Sequence, residues 1–240
     1  MTTTTPPASI ATAPAQPQRR RHWLRWTLTG LAIFLVLLVG LIAAAIKLQP
    51  VPAALALPTT VTAPAGPTDA TYRPGPGSVA GFRIPQTVIG LTTDVVGRTD
   101  DVTGTVTLAG GRATAAALRV GLVALTSGGG RPAPQFELSL ETERYPDATI
   151  ALTEPVSLDA AFLTGTAVTV NATATLTLHG ITRTVTAALA LRRDGTGIDV
   201  AGSFPVSFAD YGIAGPDGYG WFGSLADHGQ AEFRLLLQPR

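Results

Sequence analysis

The chain has 240 residues, room for one or two domains with a sizeable core. Only 14% of them are charged, while 26 glycines and 19 prolines make an unusually large share. There is no cysteine, which excludes a disulfide framework and a Cys-ligated zinc or iron–sulfur site. A net charge of +1 gives no reason to expect a nucleic-acid partner, and 45% apolar residues argue against disorder throughout.

The net charge averages two unlike parts. All sixteen acidic residues lie at Asp69 or later. The first 68 residues hold Arg19, Arg20, Arg21, Arg25 and Lys47 and no acid. From residue 71 onward, twelve arginines face fifteen acidic residues, a net of −3.

Residues 1–26 read as a Thr/Pro/Ala/Gln-rich cytoplasmic tail without helical or strand period, ending in an Arg cluster with Trp23 and Trp26. Residues 27–46, TLTGLAIFLVLLVGLIAAAI, carry no charge. About twenty apolar residues at about 1.5 Å rise span the roughly 30 Å hydrocarbon core of a bilayer. Four arginines precede this span and one lysine follows it, so the positive-inside rule puts Met1 in the cytoplasm and Arg240 outside. A cleaved signal peptide is the rival reading, with Ala54-Leu55-Ala56 as its small-residue site. The apolar run is longer than a signal core and the site lies far beyond it, which favours an uncleaved signal anchor. Residues 47–70 read as a Pro/Ala/Thr-rich, semi-extended linker. Fully extended, about 20 such residues reach some 60 Å at about 3.1 Å each.

Residues 71–240 show alternation rather than helical period. Val168, Val170, Ala172, Ala174, Leu176 and Leu178 share one strand face, with Thr169, Asn171, Thr173, Thr175 and Thr177 on the other. His179-Gly180 breaks the run, and Val185, Ala187, Leu189 and Leu191 continue the pattern, which predicts a hairpin. Gly110-Gly111 predicts another, between 102–108 and 112–125. Arg193-Asp194-Gly195 turns into a strand over 197–204, and 232–238 reads as the closing strand, with Phe233, Leu235 and Leu237 on one face. Only 134–144 looks helical. Strands of ten or more residues in a domain this size predict an all-β, antiparallel up-and-down barrel of about eight strands, whose closure removes exposed edges.

The search for chemistry is nearly empty. No H-x-x-x-H, carboxylate–His cluster or G-x-S-x-G occurs, so no catalytic residue, metal site or resident cofactor is assigned. Gly128-Gly129-Gly130 lacks the Lys-Ser/Thr pair of a phosphate loop. His179 reads as an exposed turn residue, and His228 as the partner of Asp227 in a local hydrogen bond. Tyr211, Tyr219, Trp221 and Phe222 lie in or beside the Gly-rich stretch GIAGPDGYGWFG, either a loop packed by its own aromatics or a lid at a barrel mouth.

Several segments carry more specific patterns. Leu176-Thr177-Leu178-His179-Gly180-Ile181-Thr182-Arg183-Thr184-Val185 matches L-T-(I/L)-(H/K)-G-(V/I)-T-(R/K)-x-V. Tyr145-Pro146-Asp147-Ala148 resembles an aromatic-Pro-x-A strand entry, and Asp210-Tyr211-Gly212-Ile213 a D-(F/Y)-G-(I/V) segment. Gly77–Phe82 and Val96–Gly104 resemble opening strands. Taken in order, these segments resemble the YceI-like family, whose members are lipocalin-like and bind polyisoprenoid lipids. One place departs from the family: Ser127–Pro134 holds Arg131 without the Asp of the family's R-D-x-x-L.

The resemblance implies a membrane-anchored, extracytoplasmic carrier or sequestering protein that holds a polyisoprenoid or similar apolar chain in the barrel. It is no enzyme, and its partners are membrane lipids and the apolar ligand. The alternative is a cell-envelope interaction or structural module with a packed barrel and no ligand. Strand alternation offers Phe82, Val168, Val170, Leu176, Leu178, Val185, Leu189 and Phe233 for an apolar pocket. Tyr211, Tyr219, Trp221 and Phe222 are candidates for its mouth. An interior of about 300 Å³ or more would favour the binder.

Overall fold

A computed structural model describes residues 20–48, 51–88, 90–127, 131–132, 134–215 and 223–240. Residues 1–19 of the expected tail lie outside the described residues, as do Gly128-Gly129-Gly130, Tyr219, Trp221 and Phe222, while residues 20–26, expected to be disordered, are helical. The chain divides into two units, Met1–Gln49 and Pro50–Arg240.

The first unit is one helix, α1 (Arg20–Leu48). Its Trp26–Ala45 stretch has a mean hydropathy of 2.7 over 20 residues, long and apolar enough to cross a membrane. Large side chains such as Leu37 and Leu41 are exposed in it. A helix apolar all round needs an apolar surround, because its backbone is satisfied internally but its side chains are not.

The second unit is an antiparallel barrel closed by eight strands. The first is interrupted, β1 (Ala70–Pro74) then β2 (Val79–Val88), and so is the second, β3 (Leu91–Thr99) then β4 (Val102–Ala109). The two breaks lie opposite each other, between the Tyr72↔Val106 and Ala80↔Thr99 pairs. Next come β5 (Arg112–Gly121) and the short β6 (Thr126–Ser127) and β7 (Arg131–Pro132). The helix α2 (Pro134–Ser139) follows, then β8 (Asp147–Leu152), β9 (Val156–Ser157) and the helix α3 (Ala160–Leu163). The longest strands end the chain: β10 (Val168–Leu178), β11 (Ile181–Asp194), β12 (Gly197–Ser207), then a 3-10 turn at Ala209–Tyr211, β13 (Gly223–Leu225) and β14 (His228–Pro239).

Around the ring the order is β1, β4, β5, β8, β10, β11, β12 and β14, and β14 returns to pair with β1 and β2. The expected hairpins are there. Leu178 pairs with Ile181 across His179-Gly180, and Ala109 with Arg112 across Gly110-Gly111. The lower end of the barrel holds the β4–β5 and β11–β12 turns with α3; the upper end holds the β10–β11 turn, α2 and the 3-10 turn. Past the break, β3 leaves β5 and pairs with β6 instead. Leu122, Leu125, Phe136 and Leu140, on the segment between β5 and β8, pack into the upper core beside this gap. One close approach needs a glycine: a Cβ on Gly97 would sit 2.5 Å from the Phe82 ring.

The linker is where sequence and structure part. Residues 51–69 lie along the outer wall of the barrel as a strap, not as a free spacer. Arg83 donates to the Pro52 carbonyl at 2.7 Å, Arg98 to that of Ala53, and Arg192 to those of Pro58 and Thr60 at 2.8 and 3.2 Å. Arg193 reaches both Ala65 and Gly66 oxygens at 2.9 Å. A Pro-rich chain in extended form has no internal partners for its carbonyls, and guanidinium groups supply them.

Candidate functional site: an apolar lumen

The barrel encloses a cavity of about 270 Å³. Its lining runs from Leu237, Leu191 and Val106 at the lower end to Leu178, Phe208 and Ile213 at the upper. The inward faces of the strands set its character. On β10, Ala172, Ala174 and Leu176 are buried, and Ala187 faces Ala172 from β11. Alanines on facing strands leave space that Leu or Phe would fill, so the lumen follows from small residues at alternate positions.

The two ends differ. The lower end is sealed by Phe162 (0% exposed) and Tyr72 (1%), which belong to one buried cluster with Leu108, Ile198 and Leu237. Asp159 caps α3 by accepting from the Phe162 amide at 3.0 Å, which fixes that plug. The Tyr72 hydroxyl donates to the Thr68 carbonyl at 3.0 Å, and burial pushes its pKa up. The upper end includes Ser139 in its lining and is roofed by Phe136 and Leu140. Phe136 meets Phe82 edge-on, ring centroids 4.8 Å apart. Leu138, on the opposite side of α2, is 80% exposed, and Val123 nearby in sequence is also exposed. This is the mouth side.

Five of the eight pocket candidates line the cavity: Phe82, Leu176, Leu178, Leu189 and Phe233. The other three sit beside it. Val168 and Val170 pack against the lower core, and Val185 against the upper. Sequence reasoning put Ala172, Ala174 and Ala187 on these faces without naming them as pocket residues, and missed the roof from α2 and the Phe162 plug. Only the alanines had a visible signal, their alternation.

Tyr211 is buried in the upper core beside Phe204 and Ile213. Among the described residues its hydroxyl has no hydrogen-bond partner. Burial pushes its pKa up, with a further contribution from Asp210. The expectation of an exposed His179 is corrected: the side chain is only 11% exposed. Its Nδ1 lies 3.0 Å from the Tyr211 carbonyl oxygen and its Nε2 3.4 Å from a Glu141 carboxylate oxygen. Its ring packs on Tyr145, centroids 4.6 Å apart. The backbone explains the turn: His179 has φ 51° and Gly180 φ 74°, the left-handed pair of a two-residue hairpin. His228, by contrast, is exposed and 2.8 Å from Asp227, whose carboxyl this bond holds below its usual range. Among the described residues no group of three His, Asp or Glu side chains is placed to hold a metal ion.

The model of the YceI-like domain family matches residues 75–235. A solved polyisoprenoid binding domain from Saccharophagus degradans, implicated in plant cell wall breakdown, is similar in fold, with a TM-score of 0.55 and 20% identity. That match covers 72% of this chain and 99% of the other. BcnA of Burkholderia cenocepacia matches with a TM-score of 0.46 and 17% identity, covering 65% of this chain and 95% of that one. No curated relative matches the chain in sequence.

Proposed function

The chain belongs to the YceI-like family, and from that premise we propose that it is a membrane-anchored, extracytoplasmic protein that carries or sequesters a polyisoprenoid or similar long apolar chain. The observation that carries this reading is the continuous apolar lumen of about 270 Å³ running the length of the barrel. That volume falls just short of the roughly 300 Å³ at which small-molecule pockets begin, so the support for a binder is the apolar lining along the barrel rather than the size of the space. The name of the Saccharophagus degradans structure supports the same ligand class.

Energetics explain why an anchor belongs with such a lumen. Burial of each CH₂ from water contributes about 0.8 kcal/mol, so a long isoprenoid would pass the practical affinity limit of about 18–21 kcal/mol. Such a lipid never starts in water. It starts in a bilayer that solvates it equally well, so selectivity rests on shape and on the few polar groups at the mouth. Delivery is then the limiting step, and the α1 span would raise the barrel's effective concentration at the membrane. Four arginines before the span against one lysine after it fit a cytoplasmic N-terminus.

The test is lipid extraction and native mass spectrometry of the full-length protein purified in mild detergent. A co-purifying apolar molecule of defined mass is expected. Protein that is repeatedly empty, and that takes up no added polyprenol, would favour the ligand-free envelope module instead.

A further inference from the structure

We propose that the closed lower end of the barrel is a chain-length stop, and that Phe162 determines the longest apolar chain the lumen accepts. This rests on the carrier reading above and adds a limit that an apolar lining alone does not impose. An apolar wall takes any hydrocarbon. A floor takes only what ends before it.

The lower lining consists of Val106, Ala113, Val156, Leu158, Leu191 and Leu237, all apolar. Below them the space ends on the cluster that holds Phe162, Tyr72, Leu108 and Ile198. The Tyr72 hydroxyl turns away to the Thr68 carbonyl of the strap. A polar headgroup finds no partner among the six lining side chains, so the hydrocarbon tail leads and the head stays at the mouth.

A stop must also hold its place. Phe162 sits on α3, and both ends of that short helix are tied. Asp159 fixes its start through the Phe162 amide at 3.0 Å. At its end the Gly165 amide donates to the Phe162 carbonyl at 3.0 Å, and the Arg193 guanidinium donates to the Leu163 carbonyl at 3.4 Å. Gly165 has φ 83°, and a Cβ there would sit 2.6 Å from the Pro64 ring, so α3 closes tightly onto the strap. Arg193 also holds the Ala65 and Gly66 carbonyls, which joins floor, strap and β11 in one set of bonds.

Length selection follows from this geometry. A bilayer solvates each unit of the lipid about as well as an apolar lumen does. A unit too many cannot pass Phe162 and is left at the mouth, where its apolar surface meets water. A chain too short leaves part of the lumen unfilled, and the walls there forfeit their contacts. The best ligand ends at the floor. A single methylene in a fitted apolar pocket changes selection by about 10- to 200-fold, so a chain one isoprene unit too long should be retained at least about tenfold less.

The test uses the full-length protein in mild detergent, offered an equimolar ladder of linear polyprenols that differ by one isoprene unit. Native mass spectrometry reads the lengths retained, and a single maximum with a sharp fall on its long side is expected. Two substitutions move the floor in opposite directions. Phe162→Ala opens space below the lumen and should shift the maximum to longer chains. Ala113→Leu, in the lower lining beside the β4–β5 turn, fills space above the floor and should shift it to shorter ones. Circular dichroism shows which variants fold, and Ala113→Leu decides the matter if Phe162→Ala does not. Equal retention of all lengths by the wild type, or a maximum that a folded variant leaves in place, overturns the stop while the loaded lumen leaves the carrier reading standing. Uptake of no polyprenol at all overturns both.

Discussion

His179 Nδ1 lies 3.0 Å from the carbonyl oxygen of Tyr211, so the β10–β11 turn is tied to the 3-10 turn that follows β12. The contact joins two segments 32 residues apart at the mouth end. Replacing His179 by Ala removes that bond and the Tyr145 packing, and leaves a non-glycine residue at positive φ. A loss of about 1–2 kcal/mol in urea unfolding is expected. The neighbouring change behaves differently. The Tyr211 hydroxyl is buried and has no partner among the described residues, so Tyr211→Phe should cost nothing or stabilise slightly. Equal losses in the two variants would contradict this assignment.

The β10–β11 hairpin was legible because its signal is local: alternation on both sides of His179-Gly180. The barrel followed from strand length. The strap was not legible, because Pro, Ala and Thr in 51–69 read as an unpaired spacer. Its partners Arg83, Arg192 and Glu232 lie 31, 134 and 177 positions away from Pro52, Pro58 and Leu55. His179 was misread for the same reason, since Glu141 and Tyr145 approach it only in the fold. The pocket face of β10 was read correctly as a face. Which of its residues touch open space depends on the barrel's curvature, and Val168 and Val170 pack into the lower core instead.

The lumen can be filled without touching its surface. Ala187 is buried, lines the cavity and faces Ala172 across the β10–β11 pair. In Ala187→Phe the ring would occupy space that the proposed lipid needs. Overpacking costs of about 1–3 kcal/mol are typical, but an existing void absorbs part of the added volume. The variant should therefore stay folded by circular dichroism and lose its co-purified lipid in native mass spectrometry. A folded variant with undiminished lipid would place the ligand elsewhere.

Phe162 plugs the lower end and is fully buried. Phe162→Ala removes its packing and leaves a void beside the lumen, at a cost of about 3–5 kcal/mol. Asp159→Ala removes only the cap on the Phe162 amide, at about 1 kcal/mol. Denaturant midpoints of the two variants should fall in that order. If both cost the same, the plug would owe its place to the cap rather than to its contacts.

Asp199 gives the strap wall a pH signature. Burial raises its pKa above the ordinary value of 3.8, and the hydrogen bond from Arg192 lowers it by less. A carboxyl whose folded pKa is raised binds its proton more tightly in the folded state. Its contribution to stability is therefore fully present below the unfolded pKa and is lost as pH rises through the folded one. Asp199→Asn keeps the shape and removes the titration. Urea unfolding of both proteins from about pH 3.5 to 7 isolates the effect. Relative to Asp199→Asn, the wild type should lose stability as pH rises from the ordinary carboxylate value, then level off. The opposite slope would mean that Arg192, 3.0 Å away, outweighs burial and holds the carboxylate ionised. The strap bears on the same balance, because Arg192 also serves Pro58 and Thr60. Exchanging residues 52–66 for Gly and Ser lets water reach the pair, so the slope should shrink in that background. A slope unchanged by the exchange would show that the strap is not what keeps water from Asp199.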